Sequence, residues 1–336
     1  FDGKEIYFKK GKGITRNFFN DHSLDKLSGK VGIGQIRYST EGGSMRLANA
    51  QPYVVRLNGM RVAIGHNGDI VSAPKLRKDY EKEGSIFQTT SDTEIVLHSF
   101  AKSKEESLEG RLVDAFKGVK EGAYSVVMMI NGTLVGSRDI HGFRPLVLGK
   151  INGGYVLASE TCAFSIMGAE YIRTIEPGEI VMINEEGIKS IKPFNEVRRN
   201  HCIFELAYFS RPDSLVYDIP SSVAKEALGS RLREGDDVDA DIVISVPDSG
   251  NHAALGYSLE SGIPFGFGFI RSHYGGRTFI APIQKVREAN VLKKLTANTY
   301  VVKGKKVVVV DDSIVRGTTI KKVTSMLRNA GALEVH

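Results

Sequence analysis

VVVVDDSIVRGTT, residues Val307–Thr319, opens with four consecutive valines. A short run that is apolar on every residue suits a strand buried on both faces of a parallel sheet. Asp311 and Asp312 follow at once, so two carboxylates stand where that strand leaves the sheet. The small, hydroxyl-rich run from Ser313 to Thr319 then leads into a helix expected from Thr319 to Asn329. Open α/β sheets bind ligands at the carboxyl ends of their strands, and a loop feeding a helix N-terminus offers backbone N–H groups to a phosphate. Hydroxyls on one side and carboxylates on the other suit a ligand with a phosphate, neighbouring ribose hydroxyls and a metal. An Asp pair alone is explained by a turn with a Thr cap; the whole string is more specific. It is not a P-loop, because GxxxxGK[ST] is absent.

Composition sets wide bounds. The 336 residues leave room for two domains by the usual size prior. Hydrophobic content of 41% and charged content of 25% are ordinary for a globular chain. No run approaches the length of a membrane span and no signal peptide opens the chain, so the expectation is a cytoplasmic protein without membrane contact. Only two cysteines occur, Cys162 and Cys202, which gives no disulfide framework and suggests a reducing compartment. The net charge of +6 is spread among acids rather than blocked, so it favours a basic pocket for a polyphosphate over nucleic acid.

Residues 1–200 read as strands broken by Gly, Asn and Asp turns. Strands are expected at Ile6–Phe8, Val31–Tyr38, Arg61–Gly65, Tyr124–Ile130, Thr133–Ser137, Leu146–Leu148, Tyr155–Ser159 and Ile180–Ile183. Helices are expected over Ala73–Glu83, Ser91–Ala101, Ser107–Val119 and Glu160–Met167. Such runs indicate α+β architecture with packed antiparallel sheets.

Three clusters here can carry chemistry. GIGQIRYST (Gly32–Thr40) delivers Arg37 to a strand end, where a guanidinium holds a carboxylate in bidentate fashion or is a solvated charge. GHNG (Gly65–Gly68) contains Asn-Gly, the strongest short hairpin signal. The same pair can aim a side-chain amide and a Gly N–H at one point, as an oxyanion hole requires. In TTSDTE (Thr89–Glu94), Ser91 and Glu94 make a capping box. Asp92 is left over and can pair with an ammonium. Arg37 for a carboxylate, Asp92 for an amine, and Asn67 with Gly68 for a developing oxyanion would hold glutamine while its side-chain amide is attacked.

The ordered set GIGQIRYST, NAQPY (Asn49–Tyr53), GHNGDI, TTSDTE, EGAYS (Glu121–Ser125), RDIHGFRPL (Arg138–Leu146), ASET (Ala158–Thr161) and EPGE (Glu176–Glu179) resembles the glutaminase domain of the amidophosphoribosyltransferase family. VVVVDDSIVRGTT resembles the phosphoribosyl-pyrophosphate (PRPP) loop of type I phosphoribosyltransferases, and the likeness runs essentially end to end. It implies an α+β N-terminal-nucleophile (Ntn) glutaminase domain over residues 1–198 and an α/β type I phosphoribosyltransferase domain over 199–336. The implied reaction is transfer of glutamine nitrogen to PRPP, giving phosphoribosylamine, glutamate and pyrophosphate, the first committed step of purine synthesis. Thr40 joins Arg37 and Asp92 as an implied glutamine contact. The family nucleophile is an N-terminal cysteine, whereas Phe1 opens this sequence and Cys162 reads as a small buried hydrophobe. The expectation is that the nucleophile segment is absent, that the chain as written does not hydrolyse glutamine, and that the transferase domain is incomplete at its C-terminus.

In the second half CIFELAYFSRPDS (Cys202–Ser214) reads as an aromatic strand and a turn. The resemblance places Tyr208 near the glutaminase chemistry, with core packing as the alternative. A helix from Val223 to Glu234 precedes the apolar strand Asp241–Val246, which ends in Asp248, Ser249 and Gly250. This second strand-loop-helix unit would serve the pyrophosphate, with Ser249 near the metal. Arg271–Leu295 is basic and weakly patterned, as suits a flap. Arg277, Lys293, Gln284 and Arg287 are its candidate contacts, with a solvated basic helix from Val286 as the alternative. Asp311 and Asp312 would hold ribose hydroxyls and help place Mg²⁺, while Ser313, Arg316, Gly317, Thr318 and Thr319 grip the 5′-phosphate. A [4Fe-4S] cluster through Cys202 stays undecided, because four thiolates are needed. PRPP, glutamine, feedback purine nucleotides and further copies of the chain are the implied partners. The rival from another class is a PRPP-sensing regulator that binds without catalysing, for which no DNA-binding module is evident.

Overall fold

Asn-Gly pairs set the register of the first half. Asn58-Gly59, Asn131-Gly132 and Asn152-Gly153 put Asn at φ 46–48° and Gly at 79–89°, the left-handed pair a type I′ turn needs. They join β1 (Tyr53–Leu57) to β2 (Met60–Asp69), β3 (Ala123–Ile130) to β4 (Thr133–Arg138), and β5 (Val147–Ile151) to β6 (Gly154–Ala158). The structure is a computed structural model describing residues 1–13, 15–19, 21–36, 46–195, 197–271, 295–314 and 317–336. In it β7 (Glu170–Thr174) joins β5 and β6 in an antiparallel sheet of order β6-β5-β7. With β8 (Ile180–Asn184) and β9 (Gly187–Ile191), the other strands form an antiparallel sheet of order β1-β2-β3-β4-β8-β9.

Strand periodicity explains why β3 is apolar from Val126 to Ile130. Val126, Met128 and Ile130 point to one face, where they meet Ile95, Val96 and Phe100 of the helix Thr93–Lys102 and Leu112 and Phe116 of the helix Leu108–Gly118. Val127 points the other way, into a second core with Leu146, Leu148 and Ile175 from around the smaller sheet. Side chains two apart share a face, so a strand covered on both sides loses its alternation.

The chain divides into two compact units, Phe1–Cys202 and Ile203–His336; the sequence places the boundary at 198/199. In the second unit β12 (Ile242–Ser245), β13 (Phe265–Gly266), β16 (Lys306–Val310) and β17 (Glu334–Val335) form a parallel sheet of order β13-β12-β16-β17. Val308 and Val310 pack with Val243, Ala254 and Tyr257 on one face; Val307 packs with Ile242, Ile244, Val323 and Leu327 on the other. Burial on both faces is what the valine run predicts. Two short antiparallel pairs complete the strands, β10 (Leu215–Val216) with β11 (Ile219–Pro220) and β14 (Phe269–Arg271) with β15 (Leu295–Ala297).

Three local expectations fail. Ile6–Phe8 and the described part of Val31–Tyr38 carry no strand. CIFELAYF does not form a strand either: Glu205–Phe209 is a π-helical turn, tied to the helix Ser221–Glu234 by the Lys225 ammonium on Ala207 O at 2.7 Å. Asn67-Gly68 is not a hairpin turn but lies inside β2, paired with Ser125 and Tyr124. Among the described residues no helix is long and apolar enough to cross a membrane.

Candidate functional sites in the two units

In the second unit register brings two loops together. Ser245 pairs with Val310, and Val246 N–H donates to Val310 O at 2.9 Å, so β12 and β16 end side by side. Gly250 then passes so close that an added Cβ would lie 2.6 Å from Val310 O and 3.2 Å from Asp311 Cα. Only glycine permits that approach. Asp248–Gly250 and Asp311–Ser313 therefore share the carboxyl edge of the parallel sheet. Two helices start there, Asn251–Ser261 after Gly250 and Thr318–Asn329 after Gly317, whose φ of 67° favours glycine.

The edge is rich in negative charge. Burial, and then the charge of Asp312, push the Asp311 carboxyl up to about 6, although Asp312 N–H donates to Asp311 Oδ1 at 2.9 Å. Ser313 Oγ donates to Asp312 Oδ1 at 2.7 Å. Asp248 is exposed and paired with Arg271 at the end of β14, a cation not foreseen as part of this edge. Of the expected PRPP contacts, Asp248, Ser249, Gly250, Asp311, Asp312, Ser313, Gly317 and Thr319 come to the carboxyl edge, as does the Thr318 backbone. Arg277, Lys293 and Arg316, with Gln284 and Arg287, lie outside the described residues. The donor set of Asp311, Asp312 and Ser249 is all oxygen, which fits a hard cation such as Mg²⁺ that keeps waters and few protein ligands. Among the described residues no group of three or more His, Cys, Asp or Glu side chains could hold a metal ion. Of the four thiolates a four-iron cluster takes, this stretch supplies at most two. Only Cys162 and Cys202 supply thiols, and Cys162 is buried at the start of the helix Cys162–Met167.

In the first unit the candidate residues hang on β2. Gly68 has φ 130°, and a Cβ there would sit 2.0 Å from Ala123 O; β3 leaves room for nothing larger than glycine. Next to it, Asn67 Oδ1 accepts from Arg144 Nη2 at 3.0 Å, and Asn67 Nδ2 reaches Ser159 Oγ at 3.5 Å. Just beyond β2, Ile70 N–H donates to Asp92 Oδ2 at 3.0 Å. Asp92, not Ser91, is the cap of the helix Thr93–Lys102, its Oδ1 accepting from Thr93 N–H at 2.9 Å. The capping box fails because Glu94 is already taken by Gln88 N–H, Thr89 N–H and the Thr89 hydroxyl. Burial would raise the Asp92 pKa, but the neighbouring His66, Ile70 N–H and Ser91 hydroxyl together hold it at about 2. His66 Nδ1 bonds Thr93 Oγ1 at 3.0 Å, while Asp92 Oδ1 at 3.6 Å is its electrostatic neighbour. Gln51 completes the network, accepting from His66 N–H at 2.7 Å and donating to Thr93 Oγ1 at 2.9 Å.

The sequence singles out Asn67, Gly68 and Asp92 but not the residues bonded or ion-paired to them in the structure, Ser159, Arg144 and His66, nor Gln51 behind His66. Their motifs were visible, yet none has a spacing that announces a partner in another motif. Arg37 and Thr40 lie outside the described residues. Tyr208 is 49% exposed in the second unit, its ring edge-on to Phe209 at 5.5 Å.

Comparison with known proteins bears on both units. The glutamine amidotransferase domain family matches residues 41–165 and the phosphoribosyl transferase domain family residues 220–336. Amidophosphoribosyltransferase 2, chloroplastic, of Arabidopsis thaliana is 48% identical over 97% of this chain, which spans 58% of that protein. The Bacillus subtilis amidophosphoribosyltransferase is 44% identical over 100% of this chain and 70% of its own length; the Archaeoglobus fulgidus one is 43% identical over 98% and 72%. The solved glutamine PRPP amidotransferase of B. subtilis, complexed with ADP and GMP, superposes with a TM-score of 0.91 at 43% identity, covering 100% of this chain and 72% of that one. Both domain families in one order, and identity sustained across bacterial, archaeal and plant proteins, lead to one assignment: the chain belongs to the amidophosphoribosyltransferase family.

Proposed function

We propose that the protein transfers ammonia from glutamine to PRPP, giving 5-phosphoribosylamine, glutamate and pyrophosphate, the first committed step of purine synthesis. The observation that carries the reading is the convergence of Asp248–Gly250 with the Asp311-Asp312 pair at one sheet edge, made possible by Gly250. Residues 1–198 are assigned to the glutaminase and 199–336 to the phosphoribosyltransferase.

In the glutaminase, Arg37 and Thr40 take the glutamine carboxylate and Asp92 its ammonium; a carboxyl held at about 2 stays ionised for that purpose. Asn67 Nδ2 and Gly68 N–H are the donors for the oxyanion that forms as the amide carbon is attacked. Tyr208 is assigned to this chemistry by resemblance alone. In the transferase, Asp311 and Asp312 bind the ribose hydroxyls, while Ser313, Arg316, Gly317, Thr318 and Thr319 bind the 5′-phosphate at a helix N-terminus. Asp248, Ser249, Gly250, Arg277 and Lys293 hold the pyrophosphate. Ser249, Asp311 and Asp312 would hold Mg²⁺, which would supply countercharge to the pyrophosphate oxygens. Ammonia forms the new bond to the anomeric carbon and pyrophosphate leaves with the bonding pair. Further copies of the chain and feedback purine nucleotides are proposed partners; the B. subtilis relative was solved with ADP and GMP.

Pyrophosphate release by the full-length protein with PRPP, Mg²⁺ and either glutamine or ammonia tests the proposal. Release with both donors is expected. Release with ammonia alone would remove the glutaminase assignment, and release with neither would overturn the reading.

A further inference from the structure

We propose that Arg144 is a positioning residue that decides which end of the Asn67 amide faces the substrate, an inference that rests on the oxyanion role given to Asn67 above. A carboxamide has a donor end and an acceptor end of nearly the same shape, so its orientation follows from its neighbours. Only the donor end can stabilise an oxyanion. A guanidinium has five N–H donors, no acceptor, and stays protonated in proteins. Placed 3.0 Å from Asn67, Arg144 Nη2 can meet only Oδ1, which turns Nδ2 the other way. The remaining neighbour, Ser159 Oγ at 3.5 Å, is a rotatable hydroxyl at the limit of bonding distance and would accept either end.

Arg144 is itself held from three directions. Its N–H donates to Asp139 Oδ2 at 3.2 Å, and Asp139, fully buried, also accepts from Tyr124, His141 and Phe143 N–H. The Arg144 carbonyl accepts from Arg138 Nε at 2.8 Å and shares the Ser125 hydroxyl, 3.0 Å away, with the Pro145 carbonyl. Arg138 is likewise buried, its guanidinium reaching the carbonyls of Ile175 and Gly142. Ser125 is the β3 residue paired with Asn67 in the sheet. The brace is therefore closed: strand pairing sets Asn67 against Ser125, Ser125 holds the Arg144 backbone, and the Arg144 side chain returns to Asn67. RDIHGFRPL is the device that builds it.

The test is kinetic and spectroscopic, on the full-length protein. Arg144→Gln, which can present either end, should lower glutamine-dependent kcat about 10²-fold, the usual effect of losing one oxyanion donor. KM for glutamine and ammonia-dependent turnover should stay within about 3-fold, since the donor acts only in the transition state. Arg144→Lys, still an obligate donor, should recover most of the loss. In an Asn67→Ala background Arg144→Gln should cost less than about 3-fold, because the group it orients is gone. Equal losses in both backgrounds, or no loss at all, would overturn the inference. Selective ¹⁵N labelling of asparagine gives a readout independent of turnover. The Asn67 side-chain amide, identified by its absence in Asn67→Ala, should be one sharp proton pair in the parent and in Arg144→Lys, and exchange-broadened in Arg144→Gln. An unchanged pair in Arg144→Gln would sink the idea. Should the parent show no glutamine turnover, the glutaminase assignment falls, and the amide signal still decides the role of Arg144.

Discussion

Asp92 and Asp311 are two partly buried carboxylates at the ends of secondary elements, and their surroundings drive their acidity in opposite directions. Asp92 is held at about 2 because three donors and a histidine converge on it. Asp311 is pushed up to about 6 because burial and the Asp312 charge act on it with one backbone N–H in opposition. The first environment is satisfied by the protein. The second is incomplete without something positive or hydroxylic, which is what a magnesium–PRPP complex would bring. A strained charge is a functional-site signal, and a satisfied one is first a structural device. The contrast separates Asp92, whose loss should damage the fold as well as its proposed glutamine contact, from Asp311, whose loss should damage turnover alone.

The largest expected effect lies at the strained pair. Asp311→Asn together with Asp312→Asn should reduce PRPP turnover with ammonia by about 10³-fold, the scale of losing charge stabilisation worth several kcal/mol. Pyrophosphate release at saturating ammonia measures it. Retention of more than a tenth of the parent rate would break the contrast by making the pair as structural as Asp92.

Next in size is the effect at the satisfied carboxylate. Asp92→Ala removes the cap of the helix Thr93–Lys102 and the tie to Ile70 N–H, and should cost about 3 kcal/mol, a cap plus a buried bond to a charged group. The pH dependence follows from the sign of the shift. The folded value of about 2 lies below the ordinary aspartate value of 3.8. The stabilisation is therefore fully present above about pH 4 and is lost as pH falls through 2, by about 2 kcal/mol in all. Hydrogen-exchange protection of the helix Thr93–Lys102 should thus differ between parent and variant by less at pH 3 than at pH 6. A gap that widens on acidification would contradict the assigned partners.

How much of this was legible depends on how local each cause is. VVVVDDS could be read because strand, strand end and carboxylate pair are consecutive, and burial on both faces follows from the valines alone. Asn67-Gly68 could not be told from Asn131-Gly132 by local sequence. What differs is tertiary: β3 runs so close to Gly68 that the pair is held inside a strand. The cap missed by one residue, Asp92 for Ser91, because both can cap and the contest was settled by Glu94, bound to the preceding loop. In CIFELAYF the aromatic strand propensity lost to a packed helical turn, the usual fate of β propensity when tertiary contacts disagree. Arg144 was invisible as a partner of Asn67 because 77 residues separate them.

The smallest expected effect is also the least intuitive: Asp311→Asn should make the metal-free protein more stable. Asn keeps the oxygen that accepts Asp312 N–H and removes the charge that burial and Asp312 oppose. For a carboxyl whose folded value of about 6 lies above 3.8, the folded state binds the proton more tightly. The stability this gives is fully present below about pH 4 and is lost as pH rises through 6. At pH 7.5 the parent therefore carries a cost the variant lacks, and Asp311→Asn should be more stable by about 1–2 kcal/mol, with the difference vanishing near pH 4. Denaturation of the second unit with chelator present measures this. Added PRPP and Mg²⁺ should then reverse the order, because ligand binding stabilises the parent by mass action and the variant has lost the group that recruits it. A variant less stable than the parent at pH 7.5 would mean that Asp311 is held by partners as Asp92 is, and the distinction between the two carboxylates would collapse.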